Sequence, residues 1–162
     1  MATLTVFKFN TPEGAGRMLE KVKELQKREL IKLQDAAIVT WPQGKSKPKT
    51  KQLVDMVGMG ALQGAFWGML FGLIFVVPFF GLAVGVAFGA LGGKMADYGI
   101  SDEFIKQTRE KVTEGTSALF LMTSDAVLEK ITPELKDYDF ELIASNLTKE
   151  QEEQLMAAFA EE

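Results

Sequence analysis

The feature that most constrains this chain is a stretch without any charged side chain, residues 56–93. The rest of the sequence is dense with Lys and Glu, although the overall hydrophobic fraction of 47% is ordinary. A helix rises about 1.5 Å per residue, so the part before Pro78 is long enough to cross the roughly 30 Å hydrocarbon core of a bilayer. Residues 79–93 are short by that measure. The pattern predicts two apolar helical arms joined by a tip at Pro78, Phe79 and Phe80.

Glycine recurs at every fourth position along both arms. Each interior glycine costs a soluble helix roughly 0.5–1 kcal/mol relative to alanine, so such a series needs a compensating interaction. The usual compensation is close packing of helix backbones along a glycine groove. We expect these residues to form an assembly surface, or alternatively to close the hairpin within one molecule. They are Gly60, Gly64, Gly68, Gly72, Gly81, Gly85, Gly89 and Gly93.

The charges that flank the apolar stretch predict which side of a membrane the rest of the chain occupies. Four lysines precede the stretch and one follows it: Lys45, Lys47, Lys49, Lys51 and Lys94. By the positive-inside rule that side is cytoplasmic, and the lysines are candidates for contact with anionic lipid headgroups. A plain solvated loop is the alternative. Because the tip is entirely apolar, a hairpin that re-enters the bilayer or is buried in an oligomer competes with a full double crossing.

Outside the apolar stretch, the residue patterns predict alternating strands and helices. Strands are predicted at residues 3–9, 33–41, 117–123 and 140–145, and residues 43–52 are expected to be a loop. Thr11 is expected to cap the first helix, with Pro12 at its first position. Ser101 is expected to cap the helix after the hairpin, and Thr148 with Gln151 forms a capping box for the terminal helix. Residues 125–138 are expected to be helical, with a break at Pro133.

The order of these elements predicts an α+β fold. Specifically, it predicts a ferredoxin-like βαβ…αβαβα domain, with a four-stranded sheet covered by helices on one face and an inserted apolar glycine-zipper helical hairpin. Residues 1–52 are the first half of the domain plus a basic linker. Residues 53–97 are the hairpin, transmembrane or re-entrant. Residues 98–162 are the second half plus the C-terminal helix.

Composition excludes several kinds of chemistry. The chain has no Cys and no His, which removes thiolate nucleophiles, imidazole bases and most zinc or haem ligation. We therefore expect a non-enzymatic protein with no cofactor, no metal site and no catalytic residues. The candidate acids are Asp35, Asp55 and Asp97. Asp55 and Asp97 are expected near the two ends of the hairpin, where a paired-carboxylate site is the alternative to simple salt bridges with Lys51 and Lys94. Nucleic-acid binding is not expected, because the net charge is −4 and no aromatic residue lies among the linker lysines.

Charge is unevenly distributed along the chain. Residues 1–93 carry 11 basic and 6 acidic groups, a net charge of +5, whereas residues 94–162 carry 7 basic and 16 acidic groups, a net charge of −9. Two solvated faces explain this asymmetry, and electrostatic complementarity between subunits is the alternative. The N-terminus lacks the features of a secretory signal, so we expect synthesis and residence on the cytoplasmic side.

Several stretches resemble a bacterial family known as domain of unknown function 1269, which consists of predicted membrane proteins. These stretches are LQDAAIVT, GALQGAFWGMLFGLIF, PFFGLAVGVAFGALGG, MADYGISDEFI, GTSALFLM and SNLTKEQEEQL. The resemblance implies the same architecture and a bacterial membrane-linked setting. Together with the flanking lysines, it leads us to expect the bacterial inner (cytoplasmic) membrane, with the soluble domain facing the cytoplasm. It implies no catalytic or ligand-binding residues.

These observations lead to three hypotheses on function. The first is a membrane-associated protein that self-assembles into a homo-oligomer through its hairpin, with a scaffold or membrane-organising role. The second is a soluble homo-oligomer whose hairpins bury one another and never meet lipid. The third is a small-molecule-sensing domain built on the ferredoxin-like fold. Behaviour without detergent separates the first two.

Overall fold

The computed structural model of this protein describes residues 2–52, 64–76, 95–124 and 133–159. They form a mixed α+β fold, as predicted. The strands are β1 (Ala2–Phe9), β2 (Lys32–Thr40), β3 (Lys49–Gln52), β4 (Ser117–Ser124) and β5 (Glu141–Asn146). The helices are α1 (Gly14–Lys27), α2 (Gly64–Phe71), α3 (Asp102–Lys111) and α4 (Lys149–Phe159), and a π-helical turn, Gly72–Val76, continues α2.

The strands form one five-stranded sheet in the order β3-β2-β4-β1-β5, and every neighbouring pair is antiparallel. Val6 at the centre of β1 lies opposite Phe120 of β4 and Ile143 of β5. Strand β3 corrects the prediction of a loop over residues 43–52. Its lysines and threonine are extended and exposed, and they pair with β2 at the edge of the sheet, where one side of a strand faces water.

One face of the sheet is covered by α1. Alternate residues of the strands point to this face, among them Phe7 and Phe9 of β1 and Leu119 and Leu121 of β4. Helix α1 packs on them with a stripe of residues at helical spacing: Met18, Leu19, Val22 and Leu25. The same cluster is flanked by three partly buried residues that pack against it: Leu135, Tyr138 and Phe140. The predicted helical segment 125–138 is described only from residue 133 onward.

The opposite face of the sheet is also covered, which corrects the prediction of helices on one face only. Leu4, Val6, Phe120 and Met122 point to this face and are fully buried. The layer above them consists of the described part of the apolar stretch together with side chains from α3 and α4, including Phe104 and Leu155. The sheet is thus sandwiched between two helical layers. The apolar stretch supplies a large share of the second one.

The helix ends test the predicted caps. The N–H of Phe104 donates to Ser101 Oγ at 3.2 Å, and Thr148 and Gln151 exchange bonds of 2.9 and 3.1 Å, so both of these caps are confirmed. The Thr11 cap was wrong, because α1 begins at Gly14 with Glu13 as its N-cap residue, and the side chain of Glu13 makes no capping bond. Here the carbonyl of Thr11 instead accepts a bond of 2.7 Å from the hydroxyl of Ser117, which holds the β1–α1 loop against the sheet.

Within the described residues, no helix combines the length and the apolar character needed to cross a membrane. The described part of the apolar stretch, residues 64–76, consists of α2 and the π-helical turn. The predicted start of the hairpin at residue 53, the tip at Pro78, Phe79 and Phe80, and the second arm at residues 79–93 lie outside the described residues.

Candidate functional site: the glycine-bearing apolar arm

We use the name apolar arm for residues 64–76, which comprise α2 and the π-helical turn. Its buried residues are aromatic and aliphatic and are all at most 8% exposed: Phe66, Trp67, Leu70, Phe71, Leu73, Ile74 and Phe75. Burying a large apolar side chain stabilises a fold by about 1.5–3 kcal/mol, so these residues together contribute on the order of 10 kcal/mol or more to docking of the arm. The arm is therefore an integral part of the core in this conformation.

Ring contacts anchor the arm to the centre of the sheet. Trp67 stacks on Phe71, with ring centroids 5.8 Å apart and an interplanar angle of 26°. Both rings meet Phe120 of β4 edge-on, at 6.4 and 5.1 Å. The indole N–H of Trp67 is buried and has no hydrogen-bond partner among the described residues. A buried donor without a partner costs free energy. Contacts of the indole ring with Phe71 and Phe120, and not a hydrogen bond, therefore hold Trp67 in place.

The far end of the arm is bound by Arg109 of α3. Its guanidinium donates hydrogen bonds of 2.6 Å to the carbonyl of Leu73 and 3.1 Å to the carbonyl of Ile74. Carbonyls near the end of a helix lack partners within that helix, and a guanidinium can satisfy two of them at once. Arg109 was not singled out from the sequence, because its partners are backbone atoms 35 and 36 residues away.

The outward side of the arm carries glycine. Gly64 and Gly68 are exposed, whereas Gly72 is buried. A Cβ atom placed on Gly68 would meet no described atom within 4 Å, and one placed on Gly64 would lie 3.3 Å from Oε1 of Gln52. Neither glycine is therefore required by contacts among the described residues. The remaining predicted glycines, at positions 60, 81, 85, 89 and 93, lie outside them.

The structure places the predicted lysines beside this arm. Lys45, Lys47, Lys49 and Lys51 are exposed, on the loop before β3 and on β3 itself, while Lys94 lies outside the described residues. The side chain of Gln52, at the end of β3, approaches the start of the arm at Gly64. At the other end of the arm, the rings of Trp41 and Phe75 lie 6.2 Å apart, and the Trp41 indole N–H donates to the carbonyl of Lys45 at 2.8 Å. The segment that carries the lysines therefore approaches the apolar arm at both of its ends.

Two of the three candidate acids, Asp35 and Asp97, lie among the described residues. Asp35 of β2 is 1% exposed, and its carboxylate accepts a bond of 2.8 Å from the N–H of Ala36, next to a β-bulge. Asp97 is exposed, and Asp55 lies outside the described residues. Among the residues that the structure describes, there is no group of three or more His, Cys, Asp or Glu side chains arranged to hold a metal ion.

A cavity of about 320 Å³ lies where β1 leads into α1. Its lining combines one cation, Arg17, with two carboxylates, Asp137 and Asp139, and the ring of Tyr138. Its volume is at the lower limit of small-ligand sites. Sequence reasoning missed this cavity, because residues 9–17 and 137–139 come together only in the folded sheet.

Fold and site together define a class: an α+β protein with a glycine-bearing apolar arm docked on its antiparallel sheet. The chain belongs to the family described as protein of unknown function, DUF1269, whose family model matches residues 61–160. This match includes the apolar arm and the whole C-terminal half of the sheet domain. Neither the curated proteins nor the solved structures contain a significant match.

Proposed function

We propose that this chain is a non-enzymatic protein that self-assembles through its glycine-bearing hairpin at the cytoplasmic face of the bacterial inner membrane, as a scaffold or membrane-organising element. The observation that carries this proposal is the position of Gly68, exposed on the outward side of an arm whose other side is fully buried. A backbone surface without side chains is costly in an isolated helix and useful where a second helix packs closely against it.

The proposal places the apolar arm in contact with other hairpins while its aromatic side stays on the sheet. Full insertion of residues 64–76 into a bilayer would strip the cover from Leu4, Val6, Phe120 and Met122, which form the sheet face beneath the arm. Assembly through the outward glycines needs no such rearrangement. The neighbouring lysines, at about 1 kcal/mol each, supply attraction to anionic headgroups.

We also propose the ferredoxin-like class for the sheet domain. Without the short edge strand β3, the strand order is β2-β4-β1-β5, which is the order of a split βαβ repeat whose two halves interleave. In this assignment the apolar stretch is an insertion between β2 and β4. It covers the face of the sheet opposite α1, which has no helices in a ferredoxin-like fold without an insertion. An experimental structure with a different strand order would contradict it.

The assembly proposal is tested with a matched pair of substitutions, Gly68→Leu and Gly16→Leu. Both glycines are exposed, lie in helices and have no described atom within 4 Å of the position that a Cβ atom would occupy. In each position leucine improves helix propensity by roughly 0.5–1 kcal/mol. We expect particle mass, measured by light scattering of the full chain in mild detergent, to fall for Gly68→Leu and to stay unchanged for Gly16→Leu. Equal masses for both variants and the native protein would refute assembly through this surface.

Membrane association is tested separately with the lysines. We expect the full chain to bind vesicles that contain phosphatidylglycerol and to bind pure phosphatidylcholine vesicles more weakly. Replacing Lys45, Lys47, Lys49 and Lys51 together by Gln is expected to weaken binding roughly 100- to 1,000-fold. The matched control replaces four other exposed lysines: Lys27, Lys106, Lys136 and Lys149. If the protein forms a particle of defined mass without detergent and binds neither kind of vesicle, the soluble homo-oligomer would be favoured instead.

The cavity beside α1 favours small-molecule sensing as a second candidate function. Opposite charges on Arg17 and on the pair Asp137 and Asp139 suit a small zwitterion, such as a free amino acid. A thermal-shift screen of the common amino acids against the full chain tests this candidate. The expected result is a raised Tm with one chemical subset of them and loss of that shift in Arg17→Gln. No shift with any of them would exclude this ligand class.

A further inference from the structure

The two edges of the sheet differ in how they are protected against pairing with another chain. Edge strand β3 has four residues, and its lysines, together with the lysines just before it, make pairing with another strand unfavourable. Edge strand β5 is longer, with the sequence ELIASN, and has no Lys and no Pro. Unprotected edges of this kind pair readily with another strand.

Strand β5 also presents apolar side chains to water. Leu142 is 57% exposed, and no other large hydrophobic residue in the described part of the chain is exposed. Ala144 is exposed on the same face of the strand. In β1, Phe7 lies opposite Leu142, yet Phe7 is covered by the α1 layer and Leu142 is not. The α1 layer therefore stops short of the edge strand.

The charge on this edge is already neutralised within the molecule. The carboxylate of Glu141 lies 3.2 Å from the ammonium of Lys8 and 3.4 Å from that of Lys111. Its interactions, led by the hydrogen bond from Lys8, lower the pKa of Glu141 below its ordinary value. Two copies of β5 can therefore approach each other without bringing two unpaired negative charges together.

We propose that the free edge of β5 is an interface with a second copy of this chain, formed by antiparallel pairing of the two β5 strands across a two-fold axis. Antiparallel pairing sets the two Glu141 residues at opposite ends of the strand pair, whereas parallel pairing would set them side by side. It also brings Leu142 and Ala144 of both copies onto one face, where they cover each other. The result is a closed, isologous pair with a continuous sheet of about ten strands.

Pairing of β5 with the basic β3 edge of another copy is the competing arrangement. It would use charge complementarity, but the charge of Glu141 is already satisfied internally and β3 is shorter. Such head-to-tail contacts would also leave a free β3 and a free β5 at the ends of every chain of copies. The internal pairing of Glu141 therefore favours the closed pair.

The test begins with Leu142→Lys, which places a lysine on the edge as β3 does. Leu142 is mostly exposed, so this substitution is not expected to reduce the free energy of unfolding. The matched control is Thr50→Lys, which adds the same charge to an exposed position of β3. We expect sedimentation across a concentration series to show roughly a tenfold weaker dimer, or weaker still, for Leu142→Lys and an unchanged dimer for Thr50→Lys. A dimer equally stable in both, or no dimer at any concentration, would overturn the proposal.

Cross-linking distinguishes the two arrangements, since the chain has no native cysteine. In the closed pair, the single variant Ala144→Cys lies near its own counterpart and is expected to form a disulfide dimer under mild oxidation. A mixture of Ala144→Cys and Thr50→Cys chains that gave mainly the mixed dimer would instead establish the head-to-tail arrangement. Repeating the measurement in Gly68→Leu separates this interface from assembly through the arm, because the β5 dimer is expected to persist there.

Discussion

The guanidinium of Arg109 donates a 2.6 Å hydrogen bond to the backbone carbonyl of Leu73, and this bond joins the helix after the apolar stretch to the end of the apolar arm. The same group also reaches the carbonyl of Ile74. A residue of the charged, water-facing half of the sequence thus holds the part of the chain that the hydropathy pattern assigns to a membrane. Substitution of Arg109 therefore tests whether this contact holds the arm on the sheet.

Loss of this guanidinium is expected to loosen the arm. Arg109→Gln should lower the free energy of unfolding by about 1–3 kcal/mol, because two carbonyls lose a charged donor. Of the two tryptophans of the chain, Trp67 lies in the arm and Trp41 contacts it through Phe75, so their fluorescence during urea unfolding reports on it. The control is Lys106→Gln, at an exposed position of the same helix. Equal unfolding midpoints for the two variants would show that the contact does not hold the arm.

The close approach of β1 and α1 depends on Gly14. A Cβ atom at this position would lie 2.4 Å from Cβ of Phe9, closer than such atoms come in proteins. We expect Gly14→Ala to lower the free energy of unfolding by about 1–3 kcal/mol through overpacking. Gly16→Ala, two residues on and in open space, should instead raise it by roughly 0.5–1 kcal/mol. Thermal or urea unfolding of the two variants checks the opposite signs.

Helix α1 ends with a residue in the left-handed backbone region. Glu29 has φ of 60°, and the N–H of Leu30 donates back to the carbonyl of Leu25 at 3.0 Å, as in a Schellman motif. Glycine adopts this conformation without the steric cost of a Cβ atom, so Glu29→Gly is expected to stabilise the protein by about 1 kcal/mol. Glu29→Ala removes the same charge but keeps the Cβ, and should leave the unfolding midpoint nearly unchanged. A similar gain in both variants would assign the effect to charge.

An acid-sensitive ion pair links α1 to the segment before β5. The carboxylate of Glu134 lies 2.7 Å from Arg28 and 3.0 Å from Lys21, and the hydrogen bond from Arg28, followed by that from Lys21, lowers the pKa of Glu134 below its ordinary value of 4.5. A lowered carboxylate pKa in the folded state stabilises the fold above that ordinary value, and this stabilisation is lost as the pH falls through the folded-state pKa.

The consequence is a testable difference in pH dependence. Glu134→Gln is expected to be less stable than the native protein at neutral pH, and the difference should shrink as the pH is lowered below about 4.5. Urea unfolding at a series of pH values measures it. Glu110→Gln, at an exposed glutamate of α3, is the control. A difference that stayed constant down to acid pH would mean that Glu134 acts through packing and not through its charge.

Prediction from the sequence succeeded where local rules govern the structure. Alternating β-branched and aromatic residues located β1, β2, β4 and β5 to within a residue or so at each end, and the Ser101 and Thr148 caps were placed correctly. These features depend on side-chain alternation and on hydrogen bonds between residues close in sequence. Helix α1 began later than predicted, at Gly14, and the N–H of Ala15 in its first turn donates to the hydroxyl of Ser117, 102 residues away.

By itself, then, the sequence determined the α+β class, four of the strands and the existence of an uncharged, glycine-striped segment, since all of these are properties of neighbouring residues. Only the tertiary structure decided where the described part of that segment goes. Hydropathy measures the preference of a helix for an apolar environment, and a sheet face lined by Leu4, Val6, Phe120 and Met122 satisfies that preference as a lipid bilayer would. Which side of the arm is buried, which glycines face outward and which edge of the sheet is unprotected all follow from contacts between distant residues, and no local pattern records them.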